Sequence, residues 1–113
     1  MMEITAKLLG QTTVVSIAGS VDALTAGQVT RFLSSRVGEG QTHIVADLSQ
    51  VDFISSAGLR AILIALKESR QQGGDLRLAA AQPRVENILK MAGVTSILQV
   101  YLTQDEAVAS FGS

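Results

Sequence analysis

The chain has 113 residues, 47% of them apolar and 17% charged, with no cysteine and a net charge of −1. That length predicts one domain, residues 1–113, whose core buries roughly two-thirds of the unfolded surface. The composition argues against disorder, and the missing cysteines exclude disulfides and thiolate metal sites. Lys and Arg are scattered, so no electrostatic footprint for nucleic acid or an anionic membrane is visible. No apolar run approaches the ~20 residues that span a bilayer. The start, "MMEITAKLLG", lacks the basic stretch and apolar core of a signal peptide, so a cytoplasmic location is expected.

The first elements form a hairpin. In "EITAKLLG", Ile4, Ala6 and Leu8 alternate with polar neighbours. Gly10-Gln11 makes the turn, and Val14, Val15 and Ile17 give the second strand β-branched bulk. A helix follows, with Thr25 as its N-cap; Val29, Phe32, Leu33 and Val37 recur at helical spacing until Gly38 and Gly40. "HIVADLS" is a short apolar run that reads as a central strand buried on both faces.

The next helix runs from about Ala57 to Gln72, with Leu59, Ile62, Leu63 and Leu66 on one face and Gly73-Gly74 at its end. "DLRLAAA" is a strand. Pro83 opens a helix whose inner face is Val85, Ile88, Leu89 and Ala92. "ILQVYL" is a last strand, and Thr103 with Glu106 forms a capping-box pattern before a last helix. The order β-β-α-β-α-β-α-β-α predicts an α/β fold: a mostly parallel mixed sheet of about five strands with about four helices.

The segment "DLSQVDFISSAGLRAIL", Asp47 to Leu63, holds the candidate chemistry. Nucleophilic serine at Ser55 or Ser56 needs a base within about 3 Å. The only histidine, His43, begins the central strand, and the serines follow that strand's far end. The Gly-x-Ser-x-Gly elbow is also missing. Asp47 and Asp52 read as acceptors of backbone N–H bonds in the loop after the strand rather than as an acid–base pair. One histidine and scattered carboxylates make no metal site, and no phosphate-binding Gly-rich loop is present. The chain reads as a non-enzyme without cofactor or metal.

Two readings of the serines stay open. Either hydroxyl can cap the helix that follows. The same helix start also favours a phosphate attached to an exposed hydroxyl, which would add about −1.5 to −2 charge to the surface beside Leu59. Other residues carry paired readings. Arg60 meets a partner carboxylate or is solvated. Asp22 meets a partner or caps a helix. Phe53 and Met91 are expected in the core, and Tyr101 half exposed near a strand end.

The pattern resembles the STAS-domain family of bacterial anti-sigma factor antagonists over essentially the whole chain. The family's switch segment is Asp-Leu-Ser, a spacer, an apolar pair, then Asp-Ser-Ser/Thr-Gly-Leu. Here Asp47-Leu48-Ser49 match the first part and Gly58-Leu59 the last, and Ser56 falls on the phosphoacceptor. Gly19, Val21, Asp22, Thr25 and Ala26 match a second patch, and "QPRVENILKMAGVTSIL" matches the third-helix region. Ser55 stands where the family commonly has Asp, which leaves Ser55 as the lesser candidate for the phosphoacceptor; Ala57 follows Ser56.

The resemblance implies a partner switch. The unphosphorylated form binds an anti-sigma factor that is also a serine kinase of GHKL type, and so releases the sigma factor. Phosphorylation at Ser56 ends the binding, and a serine phosphatase resets it. The implied docking residues are Gly19, Ser20, Val21 and Asp22 together with Ser55, Ser56, Ala57, Gly58, Leu59 and Arg60. No nucleic acid or membrane partner is implied, and the free protein is expected to be a monomer. The alternative within the same resemblance is an accessory subunit of a transport system, or a partner-switch pathway without sigma-factor output.

Overall fold

The computed structural model describes residues 2–112. Its elements are β1 (Glu3–Leu9), β2 (Thr12–Val21), α1 (Ala26–Gly38), β3 (His43–Ile54), α2 (Ser56–Gln71), β4 (Asp75–Ala79), α3 (Pro83–Met91), a 3₁₀ turn (Val94–Ser96), β5 (Val100–Tyr101) and α4 (Gln104–Ala109). The five strands form one sheet in the order β1-β2-β3-β4-β5. β1 pairs antiparallel with β2, and every later pair is parallel. The α/β architecture therefore agrees with the pattern read from the sequence.

Strand order and chain order coincide, so each crossover steps in the same direction. Crossovers of one hand then place their helices on one face. Accordingly α1, α2 and α3 share a core with Val15, Ile17, Ile44, Ala46, Leu48, Leu76 and Leu78. The other face carries a small cluster in which Val14, Val45 and Ala79 meet Ala107 of α4.

Several local expectations are corrected. β3 does not end near Ser49 but continues to Ile54, which takes Asp52 and Phe53 out of the predicted loop and into the strand. The pairing of β2 with β3 shifts twice, between Ser16 and Ala18 and between Gly19 and Ser20, with an extra residue on β3 each time. Each bulge breaks the two-residue alternation that marks a strand. Gly19 sits at the second shift with φ +105°, a conformation costly for any residue with a Cβ.

α2 turns inward a face rotated from the predicted one: Ile62 and Leu66 are buried as expected, and Leu59 and Leu63 pack only partly against the core. Gly58, Ala61, Ile62, Ala65, Leu66 and Ser69 are buried, whereas Leu59 and Leu63 are half-buried. Small residues let the helix sit close to its neighbours, and the larger leucines then line the flank.

Phe53 and Met91 are not core residues: they are 38% and 82% exposed. Leu8 lies exposed near the hairpin turn, and Ala92 is exposed just past the end of α3. The last strand is only two residues long: the Ile97 and Leu98 N–H groups donate back to the Val94 carbonyl and hold the start of the predicted strand in the turn that follows the 3₁₀ turn. Thr25 stands at the N-cap position of α1 but makes no side-chain cap. Thr103 does cap α4, accepting from the Glu106 N–H and donating to the Glu106 carboxylate, each at 3.1 Å.

α4 is held at both ends. Asp47 accepts from the Ser49 N–H at 2.8 Å and from the Gln104 amide at 2.7 Å. Burial alone would raise the Asp47 pKa. The hydrogen bonds from Ser49 and Gln104 and the charge of Lys7 outweigh it and hold the carboxyl below the usual carboxylate range. At the other end the Phe111 ring stacks on His43, centroids 4.9 Å apart, with the Arg77 guanidinium 4.0 Å from its centre.

A carboxyl whose folded pKa is lowered stabilises the fold where it is ionised in both states, and that contribution fades as pH falls through the lowered value. Asp47→Ala is therefore expected to cost about 1–3 kcal/mol at pH 7. The gap from wild type should narrow at pH 3, as urea unfolding at the two values will measure.

Candidate functional site

The two serines part company at the start of α2. Ser55 is the N-cap: its backbone is extended, and its Oγ accepts from the Gly58 N–H at 3.2 Å. Ser56 is the first helical residue, exposed, and outside that cap. No acidic residue occupies the first turn of α2, so nothing there offsets the positive end of the helix dipole.

This helix start is fastened to the end of β2. The Ser55 N–H donates to the Val21 carbonyl at 2.9 Å. Gly58 lies so close that a Cβ built on it would come within 2.4 Å of the same carbonyl oxygen and 2.9 Å of Val21 Cγ1. Glycine is required here by close approach. The contact unites segment 19–22 with segment 55–60 as one surface.

Segment 19–22 is braced by its own hydrogen bonds. Asp22 Oδ1 accepts from the Leu24 N–H at 2.9 Å and the Thr25 N–H at 3.3 Å. Thr25 Oγ1 accepts from the Asp22 N–H and donates to the Ser20 carbonyl, each at 2.9 Å. Ser20 Oγ donates to Asp52 Oδ1 at 2.7 Å. Asp52 thus accepts from a hydroxyl instead of the backbone N–H expected from the sequence. It is also separate from Asp47, whose carboxylate is engaged with Ser49 and Gln104.

The predicted residues take distinct positions. Val21 and Gly58 are buried and hold the surface from beneath. Gly19, Ser20, Asp22, Ser55, Ala57 and Leu59 are half-buried, and Ser56 and Arg60 are exposed. A shallow groove beside Ser56 is lined by Leu59, Arg60, Leu63 and Ile64 of α2 and by Ala92 and Val94.

Two exposed apolar residues stand at this end of the sheet: Leu24, unrecognised in the sequence and 94% exposed in the loop after β2, and Phe53, expected in the core but near the end of β3 with the Arg84 guanidinium 6.0 Å from its ring centre. Leu24 sits in "VDALTAG", where an Asp, a Thr and a Gly around a single leucine signal a turn that holds it in solvent.

His43 stands at the opposite end of β3, so the strand's whole length separates its ring from both serines. Serine–histidine chemistry has no geometry here. Among the described residues no group of three His, Asp or Glu side chains gathers to hold a metal, and no helix is long and apolar enough to cross a membrane.

Gly58→Ala forces a methyl group into the Val21 carbonyl. We expect a loss of about 1–3 kcal/mol. We also expect faster hydrogen exchange at the Ser55 N–H, because the helix start must lift from β2. Calorimetry and amide exchange check both.

The STAS domain family model matches residues 3–107. BtrV of Bordetella bronchiseptica, named as an anti-sigma factor antagonist, is 33% identical over 110 residues, 97% of this chain and 95% of its own. A solved structure from Thermotoga maritima, described as an anti-sigma factor antagonist, has a TM-score of 0.91 at 22% identity and covers 97% of this chain and 95% of its own. The Bacillus antagonist SpoIIAA in its unphosphorylated form has a TM-score of 0.74 at 19% identity, over 98% and 99% of the two chains. Both structures share the fold described above. The chain thus belongs to the STAS domain family, among the anti-sigma factor antagonists.

Proposed function

We propose that this chain, acting as one domain, is the phosphorylatable member of a partner switch. Unphosphorylated, it binds an anti-sigma factor through segments 19–22 and 55–60 and so frees a sigma factor. The anti-sigma factor is also a serine kinase of GHKL type. It transfers the γ-phosphoryl of its ATP to Ser56: Oγ bonds to phosphorus, the bond to the ADP oxygen breaks, and a base of the kinase takes the hydroxyl proton. A phosphatase hydrolyses the phosphoserine and restores the binding form.

One observation carries this reading: Ser56 offers an exposed hydroxyl at the first position of α2, while Ser55 fills the cap. A phosphate on Ser56 leaves the cap intact, so the helix keeps its start and the charge falls on the docking surface. The Ser at position 55 suits the same structural task as the Asp common in the family, because Ser and Asp cap helices about equally well. The exposed Leu24 and Phe53 and the half-buried Leu59 supply apolar contact around the serine. A transport subunit is not favoured, since a relative matched along nearly the whole chain is named as an anti-sigma factor antagonist.

The test is isothermal calorimetry against the anti-sigma factor of the same host. Ser56→Asp is expected to weaken binding at least about tenfold by placing a negative charge in the interface. Ser55→Ala should keep the binding and lose about 1 kcal/mol of folding stability. Equal affinity for Ser56→Asp and wild type refutes the switch.

A further inference from the structure

Besides its buried face, α2 presents a second amphipathic face to solvent. Leu63, Ile64, Lys67 and Arg70 lie three, four, seven and ten residues after Arg60, which stacks the five along one side of the helix. Two shallow grooves share Leu63 and Lys67 and so run together along this side, from Ser56 to Ile97. Ile97 is 51% exposed and Ile64 37%. Arg70 is already engaged, with Asp75 at 2.9 Å and the Ile97 carbonyl at 2.8 Å, and it fixes the groove's far end. Arg60 and Lys67 carry no ion pair among the described residues. No carboxylate lines either groove. In a chain of net charge −1, this strip is apolar along its centre and cationic along its rim.

We infer that this groove seats an amphipathic helix of a protein partner, one with an apolar stripe flanked by acidic residues. Two helices pack along such a seam when apolar side chains meet at the centre and opposite charges meet at the edges. Charge selects the occupant. A second copy of this chain, laid face to face, would set Arg60 and Lys67 against the same two cations, and like charges across an interface are unfavourable. The groove's near end, Leu59 and Arg60, is shared with the proposed docking surface; the inference concerns its length from Leu63 to Ile97 and needs neither kinase nor phosphate.

The probe is a synthetic helix-forming peptide of 16 residues, the length of α2, with leucine on its apolar stripe and glutamate on both flanks. A second peptide carries lysine in place of the glutamates. Backbone amide shifts and fluorescence anisotropy read the binding. The glutamate peptide should shift Leu63, Ile64, Lys67 and Ile97, and the lysine peptide should not bind. Lys67→Glu, on an exposed position, should weaken the glutamate peptide about tenfold with an unchanged melting temperature. The inference is overturned if the glutamate peptide does not bind, if the two peptides bind alike, if the shifts map elsewhere, or if Lys67→Glu leaves the affinity unaltered. A self-association, or binding to phosphatidylglycerol vesicles, that Lys67→Glu abolishes also overturns it by assigning a different occupant.

Discussion

Much of this surface depends on one close approach, that of Gly58 to the Val21 carbonyl. Only a residue without a Cβ lets the first turn of α2 rest on the end of β2. From that contact the rest follows in order. The Ser55 N–H reaches the same carbonyl, Ser55 is pinned as the cap, and Ser56 is turned outward at the next position. Two segments far apart in sequence become neighbours, and the turn after β2, braced by Asp22 and Thr25, is set beside the helix start. Rigid support of this kind lets a small charge change on one hydroxyl alter the surface without altering the fold.

The sequence made the element order legible because strand and helix periods alternate cleanly through most of the chain, and the sequential sheet follows from that order. It hid the true length of β3, since the two bulges opposite β2 erase the alternation from Ser49 onward. Reading every large apolar residue as core misplaced Met91 and Phe53. In α2 the same habit favoured Leu59 and Leu63 over Gly58, Ala61, Ala65 and Ser69, whose small size is what allows close contact. The candidate segment was visible from its motif, and the resemblance placed Ser56 on the phosphoacceptor, but which of the two serines caps the helix was not visible. Both residues are serine and either could cap the helix, and only the extended backbone of residue 55 decides between them.

α2 thus serves two surfaces with one helix. Its inner stripe of small residues anchors it to the sheet and to α1, and its outer stripe joins leucine and isoleucine with unpaired cations. Ser56 stands where the outer stripe begins, four residues before Arg60. That spacing brings i and i+4 side chains together on a helix, so a negative group on Ser56 would lie beside the first cation of the stripe. At position 55 the serine fills the cap, and the outward charge pattern does not involve it.

The central claim is that Ser56, and not Ser55, is the available hydroxyl. The most direct measurement is to incubate the protein with the anti-sigma factor kinase of its host and ATP, then localise the phosphate by fragmenting the peptide that spans residues 47–63. The account predicts phosphate on Ser56 alone, in wild type and in Ser55→Ala alike, and none in Ser56→Ala. Phosphate on Ser55, or an unmodified peptide from a kinase that binds the protein and hydrolyses ATP, would contradict it.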